Sequence, residues 1–286
     1  MANSSGKTAF VLAGGGSYGA IQVGMLRELV ARGVTPDFVV GSSVGALNGA
    51  YFAGDPTAAG VARLEYIWCG LRRRSVFPVT LRSTLAFLFK SASLVDSRGL
   101  RRLIEEHLPY RSLEEAAIPV HVSATEVLTG ASVQLSAGPA VEAILASCAI
   151  PAAFPPVRIG DRYLIDGAIA NNTPIVTAVE LGASRLIVLP TGFTCSLKAP
   201  PPTAIGNALH ALNLLIARQL VRDLEQLSDR AEVLTVPPLC PIAVSPYDFS
   251  RAAELIARSA DNTRKWLDSG GLTRSHIPRA LRPHTD

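Results

Sequence analysis

Gly14-Gly15-Gly16-Ser17-Tyr18-Gly19 follows the apolar run Thr8–Ala13, and Gly41-Ser42-Ser43-Val44-Gly45 follows Phe38-Val39-Val40. Each is a glycine-marked junction where a strand-like run gives way to helical spacing. After the first, Ile21, Met25, Leu29 and Val30 recur at helical intervals across Tyr18–Arg32, and Gly33 stands where a helix C′ glycine is expected. After the second comes an Ala/Gly-rich stretch, Val44–Ala53, whose small side chains would let a helix lie close against a sheet.

The same alternation continues outward from these two turns. Helices are expected over Thr57–Leu71, Ser97–His107, Pro139–Ser147, Pro174–Gly182, Ala204–Leu227 and Phe249–Leu267. Strands are expected over Pro119–Glu126, Ser132–Ser136, Tyr163–Ile165, Arg185–Leu189 and Ala231–Val236. Strands alternating with helices predict an α/β fold of three layers, αβα, around a mostly parallel central sheet. Ligands of such sheets bind beyond the carboxyl ends of the strands, where both glycine turns fall. The chain reads as one α/β domain over residues 1–286. Its core spans about 8–182, followed by an extension over 183–270 and an aperiodic tail over 271–286 that is expected to be mobile.

With 286 residues, 48% hydrophobic and 17% charged, the chain can bury a large core and is not of disordered composition. Four scattered cysteines form no metal or redox spacing and are expected to be buried free thiols. No secretory leader pattern and no run of 18 apolar residues is present, so a cytoplasmic protein, at most peripheral to a membrane, is expected. The net charge of +4 is uneven: eight of 27 bases and one of 23 acids lie between Arg72 and Arg102. Nothing implies a nucleic-acid partner, a metal or an organic cofactor.

The pattern G-x-S-x-G places a serine on a strained strand-to-helix elbow, and glycines flank it because side chains there would strike the crossing helix. Ser43 fits, between Gly41 and Gly45. The first turn also matches the dinucleotide fingerprint G-x-G-x-x-G. That reading needs an acid at the end of the second strand to hold a ribose. Asp37 stands at the start of that strand, and Gly41-Ser42-Ser43 occupies its end. Read instead as half of an acyl-transfer site, the amides of Gly15 and Gly16 would face a developing oxyanion. The serine needs a proton acceptor. None of His107, His121, His210, His276 and His284 stands in a glycine-bracketed loop. Asp166 does better: it ends Arg162-Tyr163-Leu164-Ile165 and precedes Gly167-Ala168. An apolar wall would raise its basicity.

G-G-G-x-x-G, G-x-S-x-G and a later D-G-A in this order resemble the patatin-like phospholipases. Ala146-Ser147-Cys148-Ala149-Ile150-Pro151, Phe154-Pro155-Pro156 and Thr125–Gly130 add to the resemblance, which covers roughly Thr8–Gly182. It implies a lipid acyl hydrolase with Ser43 as nucleophile and Asp166 as base. Gly14, Gly15 and Gly16 would line the oxyanion hole, with Gly19, Gly41, Gly45, Gly167 and Ala168 as supporting positions. Where many relatives carry Arg or Lys, this chain has Tyr18. Arg72, Arg73, Arg74 and Lys90 flank apolar Leu81–Phe89 and are candidates for a flap facing an anionic membrane. Two alternatives stay open: an α/β-hydrolase using Ser43, Asp166 and His210 or His276, and an idle lipid-binding relative.

Overall fold

The structure, a computed structural model, describes residues 6–76, 96–192, 200, 204–227, 230–242, 244–274, 278 and 281. The two glycine turns lie side by side at the carboxyl ends of two neighbouring interior strands of a central sheet. Strand β1 (Lys7–Leu12) pairs in parallel with β2 (Phe38–Ser42) and with β7 (Ala183–Leu189). Parallel pairing continues outward to β3 (Val120–Glu126) on one side and β8 (Glu232–Thr235) on the other. Beyond β3 the sheet turns antiparallel, through β4 (Ser132–Leu135), β6 (Arg162–Asp166) and β5 (Val157–Ile159). The order is β5-β6-β3-β2-β1-β7-β8, with β4 also on β3.

The pleat sorts the strand side chains into two cores. Phe10, Leu12 and Val39 face one layer, made by α1 (Gly19–Ala31), α2 (Val44–Gly54), α3 (Ala58–Gly70) and, from the far end of the chain, α10 (Ala252–Asp268). Ala9, Val11, Phe38 and Val40 face the other, with Ile175 of α8 (Ile175–Glu180) and Leu220, Leu224 and Leu227 of α9 (Ala204–Leu227). Burial on both faces explains why β1 and β2 read as continuous apolar runs. Among the described residues the remaining α-helices are α4 (Arg73–Val76), α5 (Arg98–His107), α6 (Ala140–Ser147) and the short α7 (Ala168–Asn171). Among the described residues no helix is long and apolar enough to cross a membrane.

Several details differ from the sequence expectation. Strand β5 is only three residues long and follows Pro155-Pro156, too short to show a period. A 3₁₀ turn, Gly16–Tyr18, precedes α1, and α10 begins three residues after Phe249. Cys148 is buried as expected, but Cys69 is exposed. Leu281 of the tail is 2% exposed and packs against the second core. Cys195, most of the tail and Leu81–Phe89 lie outside the described residues.

Helices α1 and α10 meet at Gly24. A Cβ there would fall inside the Ile256 carbonyl and 2.8 Å from the Ala260 nitrogen. Replacement by a branched residue must push apart a helix pair that covers the sheet. Gly24→Val should cost about 1–3 kcal/mol and lower Tm by several degrees in a thermal melt; an unchanged Tm would contradict this close seat.

Candidate active site

Ser43 is the hinge between β2 and α2, with φ 53° and ψ −126°. Such backbone geometry costs a non-glycine residue about 1–3 kcal/mol, and the surroundings enforce it. A Cβ on Gly41 would lie 2.7 Å from the Ala46 Cα, and one on Gly45 would lie 2.6 Å from the Ala13 carbonyl oxygen. Helix α2 therefore rests directly on the end of β1. The Ser43 amide donates to Ser147 Oγ at 2.8 Å, and the Ser147 hydroxyl donates to the Ser123 carbonyl at 2.5 Å.

Asp166 ends β6 and is 3% exposed. Its Oδ2 accepts the Ser43 hydroxyl at 2.7 Å, and its Oδ1 accepts the Ala168 amide at 2.8 Å. Thr125 Oγ1 donates to the Asp166 carbonyl at 2.8 Å and fixes the strand end. A Cβ on Gly167 would strike the Ser123 carbonyl oxygen and crowd Ser42 Oγ at 2.6 Å, so glycine is needed for the chain to pass this close to β2 and β3. Burial raises the Asp166 pKa to about 6, against the opposing pull of the Ala168 amide and the Ser43 hydroxyl. The carboxyl is thus poised to exchange a proton near neutrality.

The glycine loop is anchored at Gly14, whose amide donates to the Asn172 carbonyl at 3.0 Å and whose carbonyl accepts Thr191 Oγ1 at 2.6 Å. The Gly14 amide is therefore committed. Among the described residues no acceptor takes the amides of Gly15 or Gly16, and both glycines line the cavity beside Ser43 and Asp166. A Cβ on Gly15 would meet the Thr191 side chain at 2.7 Å, and Gly16 has φ 58°. From the C-terminal region of the chain, Pro246 O accepts the Ser17 amide at 2.8 Å and Ser245 O the Ser17 hydroxyl at 3.1 Å. Val244 O accepts the Tyr18 hydroxyl.

Beneath the loop lies a buried polar network that the sequence patterns do not announce. Gln22 Nε2 donates to the carbonyls of Ala13 at 2.8 Å and Leu189 at 3.0 Å. Its Oε1 accepts Asn48 Nδ2, which also donates to the Gly19 carbonyl, both at 2.9 Å. Trp68 Nε1 donates to Asn48 Oδ1 at 2.9 Å. Such fully paired networks hold backbone in place where an unpaired group would be costly.

Two cavities meet at Ser43, Gly16 and Ile150. One has apolar walls, including Leu47, Trp68, Phe154 and Phe249. The other carries Asn172, Thr173, Thr191 and Tyr247 among apolar neighbours. Neither is lined by His107 or His121; His121 sits on β3 with Nδ1 2.7 Å from Ser136 Oγ. The His210 side chain, His276 and His284 lie outside the described residues, as do the Arg74 side chain and Lys90. Arg72 and Arg73 are exposed beside Leu71 and Val76 of the apolar cavity.

A family model described as patatin-like phospholipase matches residues 10–179. Patatin-like phospholipase domain-containing protein 7 of Rattus norvegicus is 27% identical over 212 residues, which make up 73% of this chain and 15% of that protein. Lysophospholipase NTE1 of Mycosarcoma maydis is 24% identical over 229 residues, 80% of this chain and 12% of that protein. The chain thus spans 15% or less of the length of these two relatives. The solved structure of human GIVD cytosolic phospholipase A2 in complex with methyl gamma-linolenyl fluorophosphonate aligns with a TM-score of 0.51 and 13% identity. It covers 96% of this chain and 58% of its own, a likeness of fold.

An aspartate with a raised pKa in the folded state adds stability that is fully present below about pH 4 and is lost as pH climbs through about 6. At pH 7 the charged, buried Asp166 therefore costs about 3 kcal/mol. Asp166→Asn should melt at a higher temperature than the parent at pH 7–8 and lose that advantage near pH 4. Equal Tm shifts at both pH values would count against a desolvated carboxylate.

Proposed function

The chain belongs to the patatin-like phospholipase family, and on that premise we propose that it hydrolyses carboxylic esters of lipids through an acyl-Ser43 intermediate, with Asp166 as its base. The observation that carries this reading is the 2.7 Å contact between Ser43 Oγ and Asp166 Oδ2, made beside two amides with no other acceptor among the described residues. Ser43 Oγ attacks the ester carbonyl carbon while its proton passes to Asp166 Oδ2. The carbonyl oxygen becomes an anion between the amides of Gly15 and Gly16, each such donor being worth about 10²–10³ in rate. Collapse expels the alcohol, which takes the proton from Asp166 and leaves the acyl group on Ser43. Water then gives a proton to Asp166 and adds to the acyl carbon. The acid departs, and the proton returns to Ser43 Oγ.

The walls of the two cavities support an orientation for the substrate. Leu47, Trp68, Phe154 and Phe249 suit the acyl chain, while Asn172, Thr191 and Tyr247 suit the alcohol portion. A proton acceptor with a pKa near 6 serves at neutral pH without an imidazole. The exposed Arg72 and Arg73, with the charges of Arg74 and Lys90 nearby in sequence, favour contact with an anionic lipid surface.

A fluorophosphonate probe should label the parent protein and fail to label Ser43→Ala. Turnover of a lysophospholipid or an aryl ester should fall at least about 10⁴-fold in Ser43→Ala and Asp166→Asn, yet stay within a few-fold of the parent in His107→Gln and His121→Gln. Below pH 6, kcat/KM should drop about tenfold per pH unit as Asp166 takes up its proton. Labelling that survives Ser43→Ala, or loss of turnover on replacing a histidine, would point to different chemistry. Neutralising Arg72, Arg73 and Arg74 together should weaken binding to anionic vesicles at low salt; unchanged binding would remove these residues from the membrane contact.

A further inference from the structure

Six large apolar side chains stand exposed around one side of the cavity mouth: Val127, Leu128, Tyr163, Ile169, Leu214 and Leu215. Their adjacency follows from the sheet and its contacts. Strand β3 runs parallel to β2 with Ser123 opposite Ser42, so Ala124–Glu126 continue roughly 10 Å past the end of β2. The turn carrying Val127 and Leu128 therefore projects above the level of Ser43. The Val127 amide donates to the Tyr163 carbonyl at 2.8 Å, which brings the start of β6 to the same height. From β3 the rim passes to α7, where the Ala170 amide donates to Thr125 Oγ1 at 3.1 Å. Ile169, next in the chain, is half exposed and lines the cavity. The rim then passes to α9, where Gln219 Nε2 donates to the Ala170 carbonyl at 3.3 Å. Leu215 stands one helical turn before Gln219, and Ile216 lines the same cavity.

Leu128 is 84% exposed and Leu215 is 66% exposed, in positions that make no contribution to either core. Apolar side chains gathered at a cavity mouth mark a contact surface. The neighbouring charges are of both signs: Arg158 and Arg162 stand with Asp161 and Glu126, and the Arg158 guanidinium lies 5.9 Å from the centre of the Tyr163 ring. The attraction is accordingly one of apolar burial, with a tyrosine and arginines at the level where a lipid headgroup layer would lie.

We propose that this rim seats the protein on a lipid surface, with Leu128 and Leu215 immersed among the acyl chains, so that an ester enters the cavity past Ile169 without crossing water. The inference rests on the lipid-ester reading for its purpose, but its test is separate. Leu128→Asp and Leu215→Asp, singly and together, are compared with the parent by co-sedimentation with phosphatidylcholine vesicles and by hydrolysis of p-nitrophenyl butyrate in free solution. Partitioning to vesicles should fall about tenfold or more in the double variant, should change little between low and high salt, and p-nitrophenyl butyrate turnover should stay within twofold. Leu128 lies in an exposed turn, so Leu128→Asp alone carries the test if the helix substitution impairs folding. Unchanged partitioning, absence of parent binding, or binding abolished by salt would overturn the proposal. So would a lipid-free dimer dispersed by Leu128→Asp, which would give the patch to a second copy. If the parent binds vesicles yet turns over no ester, the esterase reading fails while the docking surface stands.

Discussion

The hydrogen bond from the Ser43 hydroxyl to Asp166 ties together two regions of the sheet built on different principles. Ser43 belongs to the parallel half, at the end of a strand buried on both faces. Asp166 belongs to the antiparallel edge, at the end of a strand running the opposite way along β3. The two side chains meet because β3 serves both halves, pairing in parallel with β2 and antiparallel with β6. The Ser147 bridge from the Ser43 amide to the Ser123 carbonyl and the Thr125 contact to the Asp166 carbonyl lock both partners to that shared strand. The strained serine and the desolvated carboxylate are each unfavourable alone. They persist because the packing around them leaves neither chain end another place to go.

What the sequence made legible was whatever sterics write into residue type. Gly41, Gly45 and Gly167 stand where any side chain would strike backbone or a buried hydroxyl, so their spacing betrayed the elbow and the acidic turn. Apolar runs bounded by glycine revealed the central strands for the same reason. Polar residues whose partners are distant left no such trace. Gln22 and Asn48 sit within helical patterns and read as ordinary polar positions, yet both are fully buried beneath the glycine loop. Ser147 stood out only within a longer match. Thr191 and the 244–247 segment were illegible because their contacts to Gly14, Ser17 and Tyr18 span more than 170 residues.

Tyr18 shows how a departure from a family pattern can be read once partners are visible. Its ring is buried, and its hydroxyl reaches the Val244 carbonyl, so a neutral donor ties the glycine loop to the C-terminal segment. The family match ends at residue 179, but the walls around Ser43 draw on Thr191, Pro246, Tyr247 and Phe249 as well. The later stretch of the chain thus finishes a site whose chemistry is written in the earlier one.

Among the described residues the amides of Gly15 and Gly16 have no acceptor, and on the proposed reading that has a consequence after the chemistry is over. The acid that ester hydrolysis would set free is itself an oxyanion and would suit the same donors. An ionised Asp166 would repel that carboxylate, and protonation, which burial of Asp166 favours, would remove the repulsion. On the proposed lipid-ester reading, acidification would therefore act on the site twice, removing the base and strengthening the hold on the released acid.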